Sequence, residues 1–247
     1  MPVAETKEPG TIRPREDAPA EETRIRSLIT AEEMFPALER MVMRAERELF
    51  LSFRIFDART RLRSEEALEL GLKTWADLMV HAAERGVKLR MLLADFDPIF
   101  TGDLHRSAWA SARNFGARLP DGAELICALH ECRSAPVWKY VFHYPIQKRL
   151  DSMRNIADES LTPFQHRALR GDWDLRPVTL HQKLAVVDGR EAIIGGLDVD
   201  ERRWDTPDHD QSPEETWHDV SLHVEGPPAQ DIRAHFAHCW QRAIDDD

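Results

Sequence analysis

Apolar side chains change their spacing several times in the first half of the chain. Between residues 34 and 42 they recur with the period of a helix, behind Thr30 and Glu33, which could form a capping box. Residues 48–53 then alternate as a strand does. The next helical stripe ends at a glycine, the usual residue just after a helix, and a continuous apolar run of the buried-strand kind follows. The predicted elements are a helix over about 30–42, a strand over 48–53, a helix over about 65–85 and a strand over 87–94.

The second half of the pattern predicts further elements and one segment with two readings. A helix is predicted over 105–115, a turn over 120–122 and a short strand over 124–129. Residues 130–180 mix aromatic and basic side chains. They indicate a pair of surface helices or a long loop, which we favour over a lid beside a phosphate site.

The alternation of helices and strands is typical of a layered α/β domain. Residues 1–24 are rich in Pro, Glu, Thr and Ala and contain few large apolar side chains, so we predict a disordered leader there. Residues 25–247 are predicted to form one folded domain.

Composition and charge narrow the function only in part. The formal net charge is -11, which disfavours a protein that coats nucleic acid but allows a local basic pocket for one phosphate. The three cysteines have no zinc-finger spacing, and we expect free thiols. The first residues carry no apolar core of a signal peptide, and the sequence has no run of about 18 apolar residues. We therefore expect a cytoplasmic protein that can touch a membrane peripherally.

The candidate chemistry lies in residues 181–198. His181 and Lys183 are two residues apart, so on a strand both side chains point to one face. Asp188-Gly189 is a hairpin signal, and Gly195-Gly196 removes side chains where the backbone bends or approaches a ligand. An imidazole able to attack phosphorus would thus lie beside an ammonium able to hold a phosphate oxygen.

This pattern of His-x-Lys, Asp and Gly-Gly resembles the HKD motif of the phospholipase D superfamily. Downstream, Gly195-Gly196-Leu197-Asp198 and the Arg203–Pro207 segment are similar to the first motif region of eukaryotic-type phospholipases D. The strong resemblance covers residues 181–243, in which 220–224 alternate as a strand and 232–240 have helical spacing.

The resemblance implies a fold, a reaction and a set of site residues. The fold would be an α/β/α sandwich with a mixed sheet and helices on both faces. The reaction would be hydrolysis or transfer of phosphatidyl groups through a phosphohistidine, without cofactor or metal. The catalytic set would be His181, Lys183 and Asp188, of which Asp188 positions the hairpin. The substrate phosphate would be bound by Lys183, Gly195, Gly196 and Asp198, although many family members have Asn at the last position.

One departure from the family pattern is large. Two-motif enzymes carry two HKD motifs, whereas His-x-Lys occurs once in this sequence. The chain therefore resembles the N-terminal half of such an enzyme, with phospholipid as the expected substrate. We expect the second half-site to come from homodimerisation or from a separate C-terminal half.

Two other functions stay open from the sequence. One is a single-motif nuclease that acts as a homodimer, and the other is a noncatalytic half that binds a partner. The acidic, His-containing run over 205–219 could hold a metal, but its spacing matches no standard loop, and a solvated acidic loop is favoured.

Overall fold

A computed structural model describes residues 22–246. The prediction of a leader over residues 1–24 lies mostly outside the described residues. Its last residue, Arg24, already belongs to the first strand, so the ordered sheet begins earlier than the sequence pattern indicated.

The strands form one mixed sheet whose spatial order is β1-β7-β6-β5-β2-β3-β4. β2, β3 and β4 run parallel, and each of the other pairings is antiparallel. This is the mixed α/β sheet that the family resemblance implied. The strands are β1 (Arg24–Ile29), β2 (Glu48–Phe53), β3 (Lys88–Ala94), β4 (Glu124–Ala128), β5 (Leu184–Val187), β6 (Glu191–Gly195) and β7 (Val220–Glu225).

Helices connect most of these strands, and short 3₁₀ turns occur at Asp158–Ser160 and Glu201–Arg203. None of the helices in the described part of the chain is long and apolar enough to cross a bilayer. The helices are α1 (Thr30–Arg44), α2 (Glu65–Glu69), α3 (Trp75–Glu84), α4 (Gly102–Gly116), α5 (Val137–Val141), α6 (His143–Met153), α7 (Pro163–Leu169) and α8 (Pro228–Asp246).

Alternation along the strands builds a core on each face of the sheet. On one face Leu49 and Leu51 of β2 pack in the same cluster as the apolar sides of α1 and α3. On the other face Phe50 stacks on Phe236 of α8, with 5.0 Å between ring centroids. Helices therefore cover both faces, and the α/β sandwich prediction is confirmed.

Strand direction gathers the functional residues at one edge of the sheet. Ser52, near the end of β2, pairs with Leu184 at the start of β5, and Leu184 pairs with Ile194 near the end of β6. Gly195 pairs with Ser221 at the start of β7. One end of the sheet is therefore formed by the carboxyl ends of β2, β3, β4 and β6 and by the amino ends of β5 and β7. This end of the strands is called the site edge below.

The single helix predicted over residues 65–85 is wrong, because the chain breaks it into α2 and α3. Gly71 adopts φ +77°, a left-handed conformation that ends the first segment. Thr74 and Asp77 then form a capping box that starts the second. As a result Leu68, assigned to the apolar stripe, is half exposed.

The capping box predicted for Thr30 and Glu33 is not formed at the start of α1. The structure places the N-cap at Ile29, one residue earlier, and the Glu33 carboxylate accepts the Ile29 N–H at 2.8 Å. The backbone N–H of Thr30 bonds to the carbonyl of Asp219, and the buried Thr30 hydroxyl makes no hydrogen bond to the described residues. The helix therefore begins without the predicted reciprocal cap.

Residues 130–180 contain helices, as the favoured reading of that segment predicted. α6 and α7 pack around a small apolar cluster of their own, separate from the two sheet cores. That cluster consists of Ile99, Ile146, Leu150, Ala168 and Leu175. Since β4 ends and β5 begins at the site edge, this helical segment is attached to the same edge of the sheet.

Candidate active site at the edge of the sheet

The β5–β6 hairpin carries the candidate motif. Asp188 and Gly189 both have positive φ, 54° and 65°, as a tight two-residue hairpin turn requires. At the other end Gly195 donates its N–H to the carbonyl of Lys183 at 3.1 Å, so Lys183 is held in register just before β5. The hairpin therefore fixes the backbone of the His-x-Lys segment at the site edge.

His181 and Lys183 lie side by side, as their spacing predicted. The Lys183 Nζ is 3.5 Å from the His181 Nδ1 and 3.3 Å from the His181 carbonyl oxygen. The imidazole is exposed, whereas the lysine is buried. A nucleophile that solvent and substrate can reach is thus backed by a cation that is largely removed from water.

Asp198 holds the lysine from the other side. Its carboxylate is buried, accepts the Ile55 N–H at 2.8 Å and lies 3.7 Å from the Lys183 Nζ. Arg54 approaches the same carboxylate at 4.0 Å. The sequence analysis expected Asp198 to bind the substrate phosphate. A carboxylate repels phosphate, so this geometry instead indicates that Asp198 positions the cations.

The local environment favours the neutral form of the His181 imidazole and destabilises the charged form of Lys183. The positive charge of Lys183 is the main cause that lowers the pKa of His181, with burial and Arg54 adding to it. Burial lowers the pKa of Lys183, although Asp198 opposes that shift. Burial likewise raises the pKa of Asp198. At neutral pH the imidazole therefore has a free nitrogen lone pair, which nucleophilic attack needs.

Sequence reasoning missed two arginines of this cluster. Arg54 immediately follows β2, and Arg203 lies in the 3₁₀ turn after β6; both charges act on Lys183 and Asp198. The position of Arg54 at the carboxyl end of a buried strand could have identified it, because such ends gather at one edge. The fold of the 198–203 loop, which brings Arg203 back, has no comparable sequence signal.

Asp188 lies far from this cluster. It sits at the opposite end of β5, five residues from Lys183, which is about 16 Å along an extended strand. Its carboxylate accepts the backbone N–H groups of Glu46, Arg47 and Glu48 at 3.0, 2.8 and 2.9 Å. The structure thus places Asp188 as an anchor between the hairpin and the start of β2, and brings it into no contact with the site.

Gly195 and Gly196 are explained by close packing against β7. A Cβ on Gly195 would lie 2.2 Å from the Ser221 hydroxyl and 2.5 Å from its Cα. A Cβ on Gly196 would lie 2.1 Å from a carboxylate oxygen of Asp219. The space on that side is filled by protein and not by a phosphate, so the predicted phosphate contact of these glycines does not follow from the structure.

The acidic run over 205–219 is mostly exposed, as a solvated loop would be, apart from Asp205. Asp205 is fully buried, and its carboxylate accepts the Trp217 N–H at 2.6 Å and pairs with His209 at 2.8 Å. It therefore anchors the loop. The one group in the described residues with metal-ligand spacing, Glu191, His223 and Glu225, lies near the other edge of the sheet.

A second polar cluster at the site edge also escaped the sequence reasoning. Asp95, just after β3, bonds the His105 ring at 2.6 Å and the Trp109 indole at 2.8 Å, and the other ring nitrogen of His105 meets the Thr162 hydroxyl. Asp95, His105 and Thr162 are completely buried. Because no substrate can reach them, they serve to tie α4 and α7 to the sheet.

Comparisons with known proteins were made on sequence and structure. No family model matches the chain. Phospholipase D gamma 1 and phospholipase D gamma 3 of Arabidopsis thaliana are each 31% identical over 96 aligned residues, a match that covers 26% of this chain and 11% of each relative. The chain thus spans about a tenth of the length of these curated relatives.

Solved structures with a similar chain path were also found. The phospholipase D family member Nuc from Salmonella typhimurium has a TM-score of 0.47 and 13% identity, over 89% of this chain and 95% of that one. NucT from Helicobacter pylori has a TM-score of 0.46 and 10% identity, over 91% and 98%.

Proposed function

We propose that the chain is a member of the phospholipase D superfamily, in line with its similarity to the plant enzymes, and that it cleaves or transfers phosphodiester groups by double displacement at phosphorus. The observation that carries the proposal is the exposed His181 imidazole 3.5 Å from the buried Lys183 ammonium. A phosphodiester is anionic and repels a nucleophile, so a cation beside the attacking nitrogen lowers the barrier.

In the proposed reaction two histidines divide the work. One imidazole nitrogen attacks phosphorus, a nitrogen–phosphorus bond forms, and the bond to the leaving alcohol breaks while the second histidine donates a proton to that oxygen. The second histidine then takes a proton from water or an acceptor alcohol, whose oxygen displaces the first imidazole. His181 supplies one of these two groups, and Lys183 supplies part of the clamp on the nonbridging oxygens.

The second set of groups is proposed to come from another half-site. The reaction needs a nucleophile and a proton donor on opposite sides of phosphorus, and His181 cannot occupy both places. A second copy of the chain related by a twofold axis, or a separate C-terminal half, would provide them.

We propose a phospholipid as the substrate, in line with the names of the plant relatives. An exposed surface on α5 and α6 supports contact with an anionic membrane. Residues 136–156 contain four basic side chains and one acidic one, in a chain whose net charge is -11. Aromatic and basic side chains together suit the boundary between lipid head groups and acyl chains. The exposed apolar and aromatic residues there are Val137, Trp138, Tyr140, Val141, Phe142 and Tyr144.

The direct test measures release of head group from phospholipid vesicles, with a chelator present and with a small primary alcohol as competing acceptor. The wild-type chain should release head group and form the phosphatidyl alcohol, and His181→Ala should abolish both. His238→Ala is the matched control, since that histidine is also exposed and makes no hydrogen bond within the described residues. Turnover that survives in His181→Ala would exclude this site.

Protein concentration tests the second half-site. Sedimentation and specific activity measured over one dilution series should show activity that falls as the assembly dissociates. A stable monomer with constant full activity contradicts the half-site proposal. Cleavage of DNA without lipid turnover would favour the nuclease, and an inactive chain that gains activity on addition of a C-terminal half would favour a divided enzyme.

A further inference from the structure

A cavity of about 520 Å³ opens beside the candidate site. Its walls are the segment that follows β2, the end of β3, one side of α4 and the 3₁₀ turn that holds Arg203. Its volume lies in the range of small-molecule sites and exceeds what one phosphate group needs. Neither His181 nor Lys183 lines it, so it extends away from the nucleophile and would receive a part of the substrate other than the phosphorus under attack.

The charged lining of the cavity is positive overall. Four arginines and two aspartates line it, which leaves a net charge of plus two in a protein that is acidic as a whole. The Arg59 guanidinium donates two hydrogen bonds to the Asp57 carboxylate, at 3.0 and 3.1 Å, so these two charges are paired with each other. The charged residues are Arg54, Arg59, Arg202, Arg203, Asp57 and Asp200.

Arg203 is the strongest sign that the cavity takes an anion. The residue is only 9% exposed, and its guanidinium lies 3.4 Å over the centre of the Trp217 ring. In the described part of the chain its guanidinium has no hydrogen-bond acceptor within normal reach and no ion-pair partner. Its unpaired N–H donors therefore remain available to a ligand in the cavity, and carboxylate or phosphate is the natural complement of a guanidinium.

Arg54 joins Arg203 to the site described above. Its guanidinium rests 5.2 Å over the Phe96 ring and reaches Asp198 only at 4.0 Å, which is too long for a good hydrogen bond. Adding Lys183 and Asp198 to the charged residues of the lining keeps the net charge at plus two. One scissile phosphodiester contributes one negative charge, so one positive charge is left over.

We propose that this cavity binds a second anionic group of the substrate, a carboxylate or phosphate carried by the head group next to the scissile phosphodiester. The inference rests on the proposed function and narrows it to phospholipids with such a head group. A head group with only a quaternary ammonium would meet like charge at Arg54 and Arg203.

The kinetic test compares short-chain phosphatidylserine, whose head group carries a carboxylate, with short-chain phosphatidylcholine. The wild type should prefer phosphatidylserine, and Arg203→Met should lower kcat/KM for it about ten- to a hundredfold more than for phosphatidylcholine. Arg203→Lys should recover part of that loss. Arg61→Met is the matched control, because Arg61 pairs with Glu201 outside the cavity and should leave the preference unchanged.

A binding measurement separates this inference from the proposed function. Calorimetry with inorganic phosphate should find two sites on the wild-type chain and one on Arg203→Met. Equal losses on both lipids, with phosphate binding unchanged, would overturn the second anionic site and leave the proposed function intact. Loss of one phosphate site without any lipid turnover by the wild type would support the anion site and count against the proposed phospholipid activity.

Discussion

Removing the charge of Asp198 tests how the candidate site is held together. In Asp198→Asn the amide oxygen can still accept the Ile55 N–H, while the negative charge 3.7 Å from the Lys183 Nζ disappears. Two unit charges at that distance interact by about 4 kcal/mol at an effective dielectric constant of 20. The amide dipole keeps part of that interaction, so we expect Asp198 and Lys183 to be coupled by about 2 kcal/mol.

A double-mutant cycle measures this coupling. The free energy of unfolding would be determined by denaturant titration for the wild type, Asp198→Asn, Lys183→Met and the double variant. The charge of Lys183 is left buried without compensation in Asp198→Asn, so the double variant should be more stable than the sum of the single effects indicates. Effects that add to within about 0.5 kcal/mol would show that the two groups act independently and would refute the role given to Asp198.

The same variant carries a pH signature with a defined sign. Burial holds the pKa of Lys183 below its value in the unfolded chain, so the unfolded state binds more protons between those two values. The contribution of Lys183 to the free energy of unfolding therefore rises with pH across that window. Loss of Asp198 lowers the pKa of Lys183 further, and the rise should begin at a lower pH in Asp198→Asn than in the wild type.

Three further predictions concern single residues. The pKa of His181, followed by NMR, should rise in Lys183→Met, because the lysine charge is the main cause that lowers it; an unchanged value would contradict that cause. Asp188→Ala should cost about 2 kcal/mol of stability, since three backbone N–H groups lose their acceptor, yet leave kcat of the folded enzyme unchanged; a large fall in kcat would return it to the catalytic set. Gly195→Ala should cost about 1–3 kcal/mol in thermal or denaturant unfolding. Gly116→Ala, where a Cβ meets nothing within 4 Å, should change stability by less than about 0.5 kcal/mol.

Local patterns were sufficient to predict most elements of the sheet. The strand over 48–53 and the 184–195 hairpin are signalled by side-chain period and by a turn whose two residues need positive φ. β1 was missed because it is an edge strand whose first four residues are exposed, two of them arginines, so it shows no continuous apolar face. The break at Gly71 was missed because the residues on both sides of it keep helical spacing.

The candidate site was predictable only where its members are close in sequence. His181 and Lys183 were found because residues two apart in an extended segment share a face. Arg54 and Arg203 were missed because their proximity depends on the pairing of β2 with β5 and on the path of one loop. Asp198 was found as a position, but a sequence does not show that its carboxylate accepts the Ile55 N–H and lies beside Lys183.

Net charge is a poor guide to the substrate of this protein, because the relevant field is local. The formal charge of -11 disfavours extended contact with an anionic polymer, yet three cations surround one carboxylate at the site edge. Burial strengthens the interactions of those charges, because water screens them little. The interactions of the exposed acidic side chains elsewhere are screened by salt within about 8–10 Å. The electrostatic potential that an anionic head group meets near the cavity is therefore set mainly by Arg54, Arg203 and Lys183. If so, moderate salt should weaken phosphate binding to the cavity far less than it weakens attachment of the 136–156 surface to an anionic membrane.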